Sequence, residues 1–119
     1  MNHRVIVASA SADTRLLIRR FFTINGFEVV DFVSGKGVVE YIERDKPAVC
    51  MIEIVMDEKD GIEVIGEIGK LSSKPKIIAM SSTQFYLDLA MELGVDASLL
   101  KPFSLDELND VLQKIDDGS

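Results

Sequence analysis

The chain has no tryptophan, one histidine, one cysteine and three prolines among its 119 residues. With His3 as the only imidazole and Cys50 as the only thiol, it has the residues for neither a Cys/His metal cluster nor a Ser–His or Cys–His nucleophilic pair of any plausibility. Cys50 cannot form an internal disulfide and sits inside an apolar run, so it is expected to be a buried, inert thiol. No apolar stretch approaches the roughly 18–20 residues of a membrane span. The start, Met1-Asn2-His3-Arg4 before Val5-Ile6-Val7, carries too short an apolar run for a signal peptide and looks like a first strand. The expectation is a soluble, cytoplasmic protein with no membrane association.

An apolar share of 47% is well above that of a disordered chain, and the length suits one domain over residues 1–119. The net charge of −7 is unevenly placed: residues 84–119 hold eight acids against Lys101 and Lys114, a balance of −6. Such a surface offers no footprint for phosphate backbones, so direct nucleic-acid contact is not expected.

Hydrophobic patterning divides the chain into alternating strands and helices. Arg4 to Ala8 is a first strand, followed by the small polar loop Ser9 to Asp13, in which Ser11 or Asp13 can cap a helix. That helix runs to about Ile24, with Leu16, Leu17, Phe21 and Ile24 at helical spacing and Arg15, Arg19 and Arg20 on the other flank. Asn25-Gly26 stops it. Phe27 to Phe32 is a second strand, expected near a sheet edge. A second helix to about Arg44 buries Val38, Val39 and Ile42. Val49 to Glu53 is a third strand, apolar on both faces until Glu53 at its end. After the Asp60-Gly61 turn, a third helix spans about Ile62 to Leu71, with Ile62, Val64, Ile65 and Ile68 inward. Lys76 to Met80 is a fourth strand ending at Ser81-Ser82, and Gln84 to Leu93 a fourth helix with Phe85, Leu87, Leu89, Ala90, Met91 and Leu93 as its apolar surface. Ala97 to Leu100 is a fifth strand. Ser104 and Glu107 form a capping box for a fifth helix to about Ile115, with Asp116 to Ser119 frayed.

Five strands alternating with five helices predict an α/β fold, a flavodoxin-like (βα)5 doubly wound parallel sheet of order 2-1-3-4-5. In such sheets chemistry gathers at the carboxyl ends of the strands. Those ends would bring Ser9, Ala10, Glu53, Ser81 and Lys101 to one pocket.

Three blocks at these spacings carry a family resemblance: Glu53-Ile54-Val55-Met56-Asp57-Glu58-Lys59-Asp60-Gly61, Ala79-Met80-Ser81-Ser82, and Lys101-Pro102-Phe103. The chain resembles a response-regulator receiver domain of two-component signalling over essentially its whole length. The first block is similar to the family's Asp-x-x-Met-Pro-x-x-Asp-Gly, and the last matches its Lys-Pro-Phe. The resemblance implies a hydroxyl at Ser81 and a lysine at Lys101, both retained. It also exposes departures. Glu53 stands at the phosphoacceptor aspartate, Ser9 and Ala10 at the acid pair that holds Mg²⁺, Asp57 at the loop proline, and Ser98 at the aromatic switch. Aspartyl phosphorylation needs a metal to neutralise the phosphoryl oxygens and a carboxylate placed for in-line attack. Mg²⁺ binding is therefore expected to be weak or absent, and one carboxylate facing one lysine predicts a Glu53–Lys101 ion pair with Ser81 within reach.

These features imply a degenerate, non-enzymatic pseudo-receiver acting through protein–protein contact. The partner would be a histidine kinase, effector or scaffold, docking on the fourth helix, fifth strand and fifth helix, where Asp88, Glu92 and Asp110 lie; a homodimer is compatible with this. The alternatives are neutral drift at the site, an active receiver phosphorylated slowly on Glu53 or Asp57, and a displaced metal site at Asp13, Asp57 and Asp60. A flavodoxin-like cofactor binder is disfavoured, because no Gly-rich or hydroxyl-rich loop follows the first strand to cradle a phosphate.

Overall fold

A computed structural model describes residues 2–117. Five strands alternate with five helices: β1 (Arg4–Ala8), α1 (Ala12–Ile24), β2 (Glu28–Phe32), α2 (Val38–Asp45), β3 (Val49–Glu53), α3 (Gly61–Ile68), β4 (Lys76–Ser81), α4 (Gln84–Glu92), β5 (Ala97–Leu100) and α5 (Leu105–Asp117). All four strand pairings are parallel, in the order β2-β1-β3-β4-β5. This is the predicted flavodoxin-like topology, with β2 at an edge.

Alternation along β3 divides its side chains between two cores. Cys50 and Ile52 join Val38, Ile42, Val64, Ile68 and Leu87 beneath α2, α3 and α4. Val49 and Met51 join Ile18, Phe22, Leu108 and Ile115 beneath α1 and α5. Cys50 is fully buried, as its apolar setting predicts, and burial pushes its thiol pKa up to about 12.

Caps set the helix starts. Ser11 Oγ accepts the Thr14 amide at 3.2 Å, so Ser11 rather than Asp13 is the α1 cap. Asp60 caps α3 by accepting the Glu63 amide at 2.9 Å. Ser104 and Glu107 exchange two side-chain-to-backbone bonds of 3.1 Å, the reciprocal capping box the sequence predicts.

Several expectations need correction. The inward face of α1 is Thr14, Ile18 and Phe22, while Leu16, Leu17 and Ile24 are exposed and Phe21 is partly buried. On α4 only Leu87 and Ala90 are buried; Phe85, Met91 and Leu93 face outward. In both helices apolar residues occupy more of the circumference than the sheet can cover. Helix α3 ends at Ile68 instead of Leu71, since Gly69 closes it. Helix α5 continues through Asp117 where fraying was expected; Gly118 and Ser119 lie outside the described residues.

Candidate functional site

The carboxyl end of the sheet is built by hydrogen bonds that run one residue past each strand. The Ser9 amide donates to Phe32 O at 3.0 Å, the Ile54 amide to Met80 O at 2.9 Å, and the Lys101 amide to Ser81 O at 2.8 Å. These bonds fix the backbone on which Ser9, Glu53 and Lys101 stand.

The three side chains meet. Lys101 Nζ donates to Glu53 Oε2 at 2.9 Å, the predicted ion pair, and the Ser9 hydroxyl donates to Glu53 Oε1 in a short hydrogen bond. Both carboxylate oxygens are thus engaged from within the chain. The Glu53 and Lys101 side chains retain 15% and 22% of their exposure, so the pair is largely withdrawn from water. Ser9 is itself fully buried, and its Oγ also accepts the Ser11 amide at 3.1 Å. Arg15 donates to the Ser9 carbonyl at 2.6 Å, tying α1 to the loop that presents the hydroxyl.

The remaining predicted residues lie around this triad without joining it. Ser81 is buried, but its Oγ accepts the Thr83 amide at 3.1 Å instead of contacting Glu53. Ala10 is exposed, and Ser98 is half-buried on β5 opposite Ala79. Asp57 and Asp13 are exposed, and Asp60 is spent on the α3 cap. Among the described residues no group of three His, Cys, Asp or Glu side chains converges as a metal site. Asp88, Glu92 and Asp110 are exposed on α4 and α5, with Asp88 accepting from Gln84 at 2.9 Å.

The loop after β3 is held closely. Gly61 packs its Cα against the end of β3, where an added Cβ would lie 2.5 Å from Glu53 O and 2.9 Å from Ile54 Cα. The Asp60-Gly61 pair reads as a turn in sequence; the glycine is also required by this contact. Lys59 donates to Glu67 at 2.7 Å, and that hydrogen bond raises the lysine pKa. The Gly35 amide donates to Lys59 O at 2.8 Å, joining the loop to the start of α2.

Two contributions escape sequence reasoning. Ser9 reads as a lost acid, yet it supplies the donor to Glu53. Asp96 reads only as part of the acidic third, yet its carboxylate accepts the Ile77 amide at 2.8 Å and so ties the loop before β5 to the start of β4.

The order of strands and the convergence of side chains at their carboxyl ends define a receiver-type α/β domain. The chain matches the family described as response regulator receiver domain over residues 5–113, and it belongs to that family, whose members serve two-component signalling. It is 30% identical over 118 residues to the chemotaxis protein CheY of Bacillus subtilis, covering 96% of this chain and 98% of that one. It is 23% identical over 119 residues to the sporulation initiation phosphotransferase F of the same organism, covering 96% and 94%. Among solved structures, a DNA-binding response regulator of the LuxR family from Staphylococcus aureus superposes with a TM-score of 0.85 at 28% identity, covering 96% of this chain and 98% of that chain.

Proposed function

We propose that this receiver domain signals by docking to protein partners without accepting a phosphoryl group. The observation that carries the reading is the self-satisfied carboxylate: Glu53 spends Oε1 on the Ser9 hydroxyl and Oε2 on Lys101. An in-line attack on phosphorus needs a carboxylate oxygen free and correctly placed. The donor set also does not fit Mg²⁺, which favours oxygen ligands including one or two carboxylates. Ser9 is committed as a donor, Ala10 has no side-chain ligand atom, and Glu53, the one acid in the triad, is neutralised by Lys101. The domain is accordingly a signalling module and not an enzyme.

Its partner would be a kinase, effector or scaffold presenting a basic or mixed surface to α4, β5 and α5. Exposed Asp88, Glu92 and Asp110 would steer that encounter and make it salt-sensitive.

Incubation with acetyl phosphate and Mg²⁺, followed by intact-mass measurement and peptide mapping, tests the central point. No mass increment is expected, and Glu53→Asp alone should not create one. A stoichiometric adduct on Glu53 or Asp57 would refute the reading and establish an active receiver.

A further inference from the structure

The amino-terminal ends of the strands form the pole opposite Glu53, and there the charge of the chain reverses locally. Lys70 to Lys76 holds three lysines and no acid, although the whole chain carries −7. This segment joins α3 to β4 and runs along two neighbouring clefts. The first, of about 360 Å³, lies between the ends of α2 and α3, where Lys46, Lys70, Ser72 and Ser73 meet Glu43. The second, of about 390 Å³, lies between the ends of α3 and α4, with Lys74, Lys76 and Asp96 on its walls.

Lysines at helix carboxyl ends complement the helix dipole, which accounts for Lys46 and Lys70. It does not account for Lys74 and Lys76, which lie just before and at the start of β4. Lys46, Lys70 and Lys74 are exposed, and none of their amines has a hydrogen-bond or ion-pair partner among the described residues. The backbone amides of Ser72, Ser73 and Lys74 likewise donate to no described group, so three consecutive N–H donors lie open beside the ammonium groups. Lys46 itself adopts a left-handed φ of 48°, where a helix end favours glycine or asparagine. Two bonds pin that turn: Asn2 donates to Lys46 O at 2.8 Å and Arg4 to Asp45 O at 3.0 Å. Of the two acids in the clefts, Asp96 is spent on the Ile77 amide with Lys76 3.9 Å away, and only Glu43 opposes the lysines.

We infer that this basic band binds an extended acidic peptide segment of a protein partner, held by lysine ammonium groups and open loop amides. Carboxylates are acceptors only, and they take charge-assisted hydrogen bonds from both kinds of donor. The serine hydroxyls between the two lysine pairs add further donors. An extended chain has the shape to pass from one cleft to the next along Ser72 to Lys74. A broad anionic surface, such as a bilayer or a nucleic acid, would also press its charge against exposed Glu92 at the α4 end of the same pole. A narrow peptide avoids that repulsion. The contact is small and its cations are exposed, so binding is weak and falls as salt is added. This inference is independent of the signalling reading above, since it involves other residues and a partner of opposite charge.

Fluorescence anisotropy with a short fluorescein-labelled glutamate-rich peptide tests it, with a glutamine-rich peptide of the same length as control. The glutamate peptide alone should bind, and amide resonances of Lys46, Lys70, Ser72, Ser73 and Lys74 should shift as it is added. Lys70→Glu with Lys74→Glu changes two exposed residues, so the urea midpoint should hold while the dissociation constant rises about tenfold or more. Glu43→Gln removes the opposing charge and should tighten binding about two- to threefold. Lys36→Glu, at the other pole, should leave binding unchanged. No binding of the glutamate peptide, shifts confined to another face, or a Lys70/Lys74 reversal without effect would each overturn the inference. So would tighter binding of single-stranded DNA or of vesicles containing phosphatidylserine, which would make the occupant a nucleic acid or a membrane.

Discussion

Replacing Lys101 with methionine keeps most of the side-chain volume and removes the charge that faces Glu53. The backbone bond from the Lys101 amide to Ser81 O is untouched, so the change isolates the ion pair. A solvent-exposed pair contributes about 0–1 kcal/mol, whereas removing one partner of a fully buried pair costs about 3–5 kcal/mol. With 15% and 22% of side-chain exposure left, and with Ser9 still donating to the other oxygen, Glu53 lies between these limits. A loss of about 2–3 kcal/mol follows. A domain of this size holds on the order of 6–18 kcal/mol, so the variant still folds. At about 4 °C per kcal/mol, its melting temperature should fall by roughly 8–12 °C. Urea unfolding of wild type, Lys101→Met, Glu53→Gln and the double variant completes the measurement. The double variant should lose less than the sum of the singles, because it leaves no unpaired charge. Midpoints equal to wild type for Lys101→Met, or strict additivity in the cycle, would refute the account of the site as an internally neutralised carboxylate.

Two further outcomes follow from the site and the core. Gly61→Ala should destabilise by about 1–3 kcal/mol and shift the amide resonances of Glu53 and Ile54, because the atoms met by the new Cβ are backbone and cannot swing aside; unchanged spectra would mean that the loop yields freely. Cys50 should resist thiol reagents in the folded protein and react only on unfolding. Its folded pKa is raised from 9.0 to about 12, so its contribution to stability is present below pH 9 and is lost as pH rises through that interval; Cys50→Ala should lower stability at neutral pH and flatten the decline on the alkaline side.

The strands were legible because each is a short β-branched or apolar run bounded by turn residues, and β1, β3 and β5 fall where the patterning places them. The helix faces were less so. On α1, Leu17 and Ile18 are equally apolar neighbours, and only the angle at which the helix meets the sheet buries Ile18 and leaves Leu17 outside. That angle is set by packing between elements and leaves no trace in the periodicity of one helix. The same ambiguity on α4 left Phe85 exposed.

At the site, topology made the meeting of residues foreseeable but not their hydrogen bonds. Strands lie about 4.8 Å apart. Ser9 follows β1, which is adjacent to β3, so a hydroxyl on one carbon suffices once glutamate supplies the additional methylene. Lys101 follows β5, which is separated from β3 by β4, so its donor must cross two spacings, roughly 10 Å. Only a side chain with the reach of lysine or arginine does that, which is why the lysine bond to Glu53 forms while Ser81, on the strand between, turns to Thr83. Each donor therefore has a length matched to the number of strands it spans. Glu53 lies between the short donor and the long one, and its two oxygens leave one for each.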